Sequence, residues 1–355
     1  MRRKGRILTR KCNWMAIRDS SFELLRNLAM FFVLVIHANF VSLPRPTVMD
    51  LSASPVITCF RYLIESMGIM GVNAFILISG WFRVKTDSLR LFNFIFQILF
   101  FWLGGYLVFL LLGRTNLSLD GILNCFAFTR WDWFIKSYAV LLIIAPILNS
   151  YIDHVTEKQL RNVLISFFLF QSTYGWIGGG SRFFVDGYGP LSFIGLYLLA
   201  QYVRITSGRG ERTFFHRNTF LFLFFISVIL NTIFILLLIK SDQCVNNLLA
   251  YCNPLVIIGA LFLLLFFSKL NIKPNKAINW LGASSFAVYL LHSQVNIRPL
   301  FTNVIVSLSS SFHGLSVIIF IFIFLLLTYI FSVLVDQIRI LFWIFICSFI
   351  TKEYV

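Results

Sequence analysis

The sequence predicts an all-α fold: a polytopic transmembrane helix bundle with about ten spanning helices and both termini cytoplasmic. Three observations predict it. Of 355 residues, 59% are hydrophobic and 12% charged, with a mean hydropathy of +0.85, far too apolar for a soluble domain. The apolar residues fall in runs of roughly 17–25, the length a helix needs to cross a bilayer core. The charges lie between those runs, and the basic ones favour alternate loops, as cytoplasmic loops do. Phe alone supplies 42 residues, which suits lipid-facing and helix-packing surface.

Run length and polarity place the spans at 23–43, 57–82, 91–112, 132–150, 162–178, 189–205, 218–239, 252–269, 280–299 and 315–336. The first follows "MRRKGRILTRK", whose charge puts the N-terminus in the cytoplasm. It mimics a signal peptide, but no small-residue cleavage site follows His37, so it reads as an uncleaved span. Arg61 and Glu65 interrupt the second before "GIMGVNAFILISGWF" resumes. A short re-entrant or interfacial helix ahead of the true span fits that break, provided its backbone lines protein rather than lipid. Gly68, Gly71 and Gly80 there allow close helix approach. The fourth carries Lys136, read as a buried cation at the outer end with Asp132 one turn earlier to neutralise it. Before the sixth, "GWIGGGSRFFVDGYGP" reads as a Gly-rich outer lid or rim holding Arg182 and Asp186. With this orientation the inner segments hold about 21 of the 30 Lys and Arg, and the outer loops about seven. An even number of spans returns the C-terminus to the cytoplasm.

The chain thus divides into a basic cytoplasmic segment (1–22), a transmembrane domain (23–336) and an amphipathic tail (337–355). The tail lies along the inner interface or forms an eleventh span. The longest outer loop, 113–131, is too short for a separate domain, so any active site is built within or at the ends of the bundle. The net charge of +16 would raise nucleic acid as a partner of a soluble protein. Here topology accounts for it, and nucleic acid is not expected. The six Cys show no CxxC or metal-ligand spacing. They read as packing residues, with a Cys244–Cys252 disulfide as the alternative. There is no HExxH, GxSxG or nucleotide-binding fingerprint, and no metal is expected.

Chemistry is therefore sought among polar residues inside apolar runs. "FELLRNLAMFFVLVIHANF" holds Arg26 and His37. A charge at mid-membrane costs about 2.5–3.5 kcal/mol on insertion scales. Eleven positions are three helical turns plus roughly 20°, so the two share a face and stand roughly 16 Å apart along the axis. Glu23, one turn before Arg26, shares that face and can pair with it. Arg26 alone reads equally as a snorkelling anchor, and His37 alone as a packing residue; the shared face favours a functional pair. In "NWLGASSFAVYLLHSQVNIRPLF", His292 stands roughly 18 Å up its own span, close to the roughly 21 Å of His37. Two histidines at similar heights can meet in one cavity. Arg298 beyond it binds a polar substrate or caps the helix end. Asn73 and Ser79 are polar side chains able to bond between helices. Arg83, Lys85 and Arg90 satisfy the inside bias and would also suit phosphates. His154, His216 and His313 fall in loops, which leaves His37 and His292 as the general-base candidates near neutral pH.

These segments resemble the acyltransferase-3 family of integral membrane acyltransferases. Its hallmark is an Arg, ten residues and a His, here Arg26 and His37. "GVNAFILISGWF" resembles its Gly-x-x-x-Phe…Ser-Gly-aromatic segment, and "WFIKSYAVLLIIAPILN" its Trp-Phe…Pro segment. "FIGLYLLAQYVRI" resembles the sixth-span signature, and "SSFAVYLLHSQVNIRPLF" the Tyr-Leu-x-His segment. The resemblance runs in order from residue 20 to about 335. It implies transfer of an acyl group, usually acetyl, from cytoplasmic acyl-CoA to a hydroxyl of a surface polysaccharide or lipid-linked sugar, in the bacterial cytoplasmic (inner) membrane. Some members carry a fused extracytoplasmic hydrolase-like domain; none is apparent here, so transfer is completed in the bundle or handed to a partner protein.

On that reading Arg26, with Arg83, Lys85 and Arg90, holds the coenzyme A phosphates at the inner face. The pantetheine arm spans the roughly 16 Å to His37. There His37 acts as general base or accepts the acyl group itself. His292 and Asn73 orient His37 or polarise the thioester carbonyl, and Asn73, Arg298 and Glu23 contact substrate. The main rival is a transporter or flippase of lipid-linked saccharides. It explains many spans and intramembrane His and Arg, but not the ordered motif set or the lack of paired inverted halves. A glycan polymerase fits the short outer loops poorly, and a purely structural subunit leaves two deep histidines unexplained.

Overall fold

The computed structural model describes residues 18–85, 87–126, 133–178, 183–208, 216–241 and 243–352. Among them the secondary structure is entirely helical. Helix α1, Ser20–Ile36, starts where the Asp19 side chain accepts from the Ser21 amide at 2.9 Å, satisfying one of the free amides of a helix start. A π turn, His37–Val41, continues it. After the short α2, Val48–Ala53, come α3, Pro55–Gly68, and α4, Met70–Trp81. The expected re-entrant piece is α3, and it runs almost straight into α4. Together they form a 27-residue apolar stretch.

Helix α4 is the centre of the bundle. It packs against α1, against α9 (Pro190–Gly208) and against α11 (Pro254–Ser268). Glycines permit these approaches. A Cβ at Gly71 would stand 2.6 Å from the Ala29 carbonyl oxygen of α1, and one at Gly80 would stand 2.5 Å from that of Tyr197 in α9. The carbonyls at the end of α4 are capped from α9: Gln201 donates to Gly80 and Arg204 to Trp81.

The other elements are α5, Ser88–Leu111; α6, Leu119–Cys125; α7, Trp133–His154; α8, Glu157–Phe170; and α10, Arg217–Lys240. The chain closes with α12, Lys276–Ala283; α13, Ser285–Ser293; α14, Ile297–Ser311; and α15, Leu315–Lys352. Among the described residues, seven helices are long and apolar enough to cross a membrane: Ser20–Val41, Pro55–Trp81, Ser88–Leu111, Trp133–His154, Arg217–Lys240, Asn246–Ser268 and Leu315–Phe349. That is fewer than the ten expected from run length. Helix α8 stops at 14 residues and gives way to a π turn, Gln171–Ile177. Helix α9 turns polar groups inward, with Ser192 and Gln201 both buried.

The expected ninth span, 280–299, is broken twice. Ser284 separates α12 from α13, and Gln294 leaves the helical conformation at ψ 136°. The Gln294 side-chain oxygen then accepts from the amides of Asn296 at 2.7 Å and Ile297 at 3.0 Å, opening α14. A side chain that offers the backbone a competing acceptor ends a helix in this way. The tail does not separate from the tenth span: α15 runs unbroken for 38 residues. Buried Asp336 holds Arg339 through two bonds of 2.6 and 3.1 Å, and Arg339 reaches Asn93 of α5 at 3.2 Å.

Two smaller expectations meet the structure differently, and a third is described only in part. Lys136 lies on an exposed face of α7, because its neighbours Phe134 and Ile135 take the core side; Asp132 lies outside the described residues. Cys244 and Cys252 are free thiols, one exposed and one buried. In the Gly-rich loop, Arg182 lies outside the described residues, while Val185 and Asp186 take positive φ values of 46° and 54°.

Candidate active site

Helices α1 and α13 pack side by side and bring the two histidines together. His37 Nδ1 and His292 Nε2 are 2.7 Å apart. His292 is 2% exposed, and its Nδ1 lies 2.6 Å from the Val288 carbonyl oxygen one turn earlier. A carbonyl only accepts, so His292 Nδ1 carries a proton. In the neutral ring Nε2 is then an acceptor, and His37 Nδ1–H donates to it. His37 Nε2 is left with its lone pair. The partly exposed His37 ring borders a cavity of about 640 Å³. A buried histidine thus fixes the tautomer of an accessible one.

The π turn begins at His37. Its register is visible where the Ser42 amide reaches the His37 carbonyl at 3.0 Å, with Ser42 Oγ on the same oxygen at 2.8 Å. Such turns recur at functional positions. Here the turn lets His37 border the cavity while Asn39, two residues on, is buried on α3. Asn39 Nδ2 donates to Glu65 Oε2 and to the Arg61 carbonyl, both at 2.9 Å. Arg61 returns a bond to Asn39 Oδ1 at 2.9 Å and reaches the Pro44 carbonyl at 2.8 Å. Arg45, Glu65 and Arg298 are the charged groups bordering the cavity. Arg45 donates to Asn246 at 2.7 Å. The remaining wall is mostly apolar, a mixture of aliphatic and aromatic side chains that includes Trp133, Tyr188 and Tyr251. Val185 and Tyr188 of the Gly-rich loop border the cavity too, which fits the rim reading.

Arg26 stands at the other end of α1, outside this cavity. It is ion-paired to Glu23, whose second oxygen accepts from Arg18 at 3.1 Å. Glu23 is 3% exposed and packs on Gly282, where a Cβ would come within 2.4 Å of its carboxylate. The guanidinium of Arg26 lies 5.9 Å from the Phe82 ring centre, and the next residue is Arg83. Arg83 donates to Gln201 at 2.9 Å and pairs with Asp153. Lys85 follows on the connection and Arg90 in the first turn of α5; both are exposed, and Arg90 donates to the Lys85 carbonyl at 2.6 Å. Arg26 of α1 thus lies beside the end of α4, and Arg83, Lys85 and Arg90 follow that end in sequence.

Asn73 does not touch either histidine. Its amide donates to the Tyr251 carbonyl at 2.9 Å, and its Oδ1 is buried without a partner among the described residues. Glu65, Arg61, Asn39 and Arg45 are site residues that spacing alone did not single out. The signal available for two of them was the Arg61/Glu65 break in an apolar run. Among the described residues, no three His, Cys, Asp or Glu side chains gather as a metal site.

A family model described as an acyltransferase domain matches residues 19–337. No curated protein and no solved structure matches the chain. Seven membrane-crossing helices and the family together make this an integral membrane protein. The match covers nearly every described helix and both histidines, and the chain belongs to the acyltransferase-3 family.

Proposed function

We propose that the protein is a membrane O-acyltransferase that moves a short acyl group, acetyl first, from cytoplasmic acyl-CoA to a hydroxyl of a cell-surface polysaccharide or lipid-linked sugar. It works from the bacterial cytoplasmic membrane, with the N-terminus inside. The observation that carries this reading is the 2.7 Å contact between His37 and His292 at a cavity wall, in a chain of an acyltransferase family.

In the proposed step the acceptor hydroxyl gives its proton to His37 Nε2 as its oxygen attacks the thioester carbonyl carbon. His292 Nε2 accepts from His37 Nδ1 throughout, which stabilises the imidazolium formed. The C–S bond breaks, the coenzyme A sulfur takes the proton back from His37, and the sugar keeps the acyl group as an ester. The same lone pair would serve the alternative route through an acyl-imidazole. The donor enters from the Arg26 end of α1, with Arg83, Lys85 and Arg90 on the approach. Arginine suits phosphate because its planar donors make two bonds at once. Arg298, near the histidines, is placed to meet the developing oxyanion or the acceptor.

The test uses protein in nanodiscs with acetyl-labelled acetyl-CoA and a crude surface-glycan fraction. Label in the glycan, with release of free coenzyme A, is expected. In Arg26→Ala the half-saturating acetyl-CoA concentration rises by about tenfold or more, the scale of a charge-assisted bond. A wild-type protein that neither binds nor consumes acyl-CoA sinks the proposal and favours saccharide transport.

A further inference from the structure

We propose that Glu65 is an acceptor-binding residue: one of its carboxylate oxygens receives hydroxyl hydrogen bonds from the polyhydroxylated acceptor that His37 deprotonates. This rests on the acyltransferase reading above and names the part of the cavity the acceptor occupies.

A buried carboxylate is costly unless its oxygens are satisfied. The molecule contains a closed example. Asp336 is fully buried, and both its oxygens are taken by Arg339. Glu65 is built differently. It is 6% exposed, yet it borders the cavity. Among the described residues only Asn39 donates to it, on Oε2. The nearest cation on its own helix, Arg61, directs its hydrogen bonds to Asn39 and to the Pro44 carbonyl instead. The arrangement holds the carboxylate in place from behind and leaves Oε1 for whatever fills the cavity.

The chemistry decides which substrate that is. A carboxyl group meets a ligand through its oxygens alone, accepting hydrogen bonds when ionised and both donating and accepting when protonated. Either way it suits a ligand rich in hydroxyls, which donate as well as accept. The basic groups of Arg26 and Arg83 lie outside this cavity, while Arg45 and Arg298 border it with Glu65. Three aromatic residues line the same cavity as Glu65 and brace one another: the Trp133 ring centre lies 4.4 Å from that of Tyr188 and 5.4 Å from that of Tyr251. An apolar, aromatic lining with a few polar groups that fix orientation is the usual make-up of a small-ligand site. The π turn joins the two functions. His37 starts it, and Asn39, which holds Glu65, lies within it. The base and the acceptor-binding carboxylate are thereby tied to one turn of backbone.

The experiment measures transfer from labelled acetyl-CoA to a titrated surface-glycan fraction, for wild type, Glu65→Gln and Glu65→Asp in nanodiscs. The expected result is a rise of about 10- to 100-fold in the half-saturating glycan concentration for Glu65→Gln, with the half-saturating acetyl-CoA concentration moving less than about twofold. Glu65→Asp, which keeps the carboxyl group, recovers part of the loss. An unchanged glycan dependence overturns the assignment. So does a parallel loss for both substrates, or failure of both variants to give a folded, monodisperse protein, since each marks a structural role. A wild type that consumes acetyl-CoA without labelling glycan removes the acceptor site while leaving thioester chemistry intact. A wild type that consumes none removes the parent reading itself.

Discussion

At the scale of single residues, the account turns on one proton. His292 gives its Nδ1 proton to the Val288 carbonyl at 2.6 Å, and this obliges its Nε2 to accept from His37. Removing the acceptor by His292→Ala frees the His37 ring to choose its tautomer and its rotamer. Turnover is expected to fall by about 100-fold, at the low end of what a general base contributes, while acetyl-CoA affinity holds. His292→Gln, whose amide oxygen still accepts, should recover part of that loss. Equal turnover in all three proteins, measured by coenzyme A release, would show that the contact plays no part. The pairing was legible before the fold: helical rise alone put both histidines at similar heights. The Glu65 cluster was not. Its partner Asn39 lies 26 positions away in sequence, across a turn whose π register no 3.6-residue periodicity reveals.

At the scale of elements, close backbone approach positions the site. Helix α4 lies against α1 because Gly71 has no side chain. An added methyl would stand 2.6 Å from the Ala29 carbonyl oxygen and 2.9 Å from Phe32 Cβ. Gly71→Ala must therefore push α1 away, at about 1–3 kcal/mol, the usual cost of overpacking a filled core. A lower thermal unfolding midpoint in nanodiscs, with lower turnover, is the expected outcome; an unchanged midpoint would mean that the helices tolerate separation. The sequence foretold this approach because small residues mark helix contacts in membranes. It did not foretell the two breaks in 280–299. The second depends on Gln294 competing for backbone groups, and Gln294 is held there from α5, reaching the Trp102 carbonyl at 3.4 Å; at the first, Ser284 Oγ accepts from Gln337 of α15 at 3.3 Å. Hydropathy read the segment as one span because its residues are apolar enough, whatever their backbone does.

At the scale of the whole molecule, the lipid-facing surface and the buried chemistry separate cleanly. Over Leu315–Phe349 only 22% of the most apolar window is buried, as expected of a helix at the rim of a bundle in lipid. The proposed orientation rests on the basic loops. With the N-terminus inside, Arg217–Lys240 runs outward and leaves the exposed Cys244 on the external side. A membrane-impermeant maleimide should label Cys244 in intact cells; labelling only after lysis would invert the topology and the donor's entry side. The composition made the membrane assignment plain. Crossing number was less legible, because α8 and α9 are helical yet fall short in length or apolarity. The most direct test of the central claim compares wild type with His37→Ala for transfer of labelled acetyl from acetyl-CoA to surface glycan, with acetyl-CoA binding measured alongside. The account predicts that glycan labelling is abolished while acetyl-CoA binding persists. Undiminished labelling by the His37→Ala protein would contradict it.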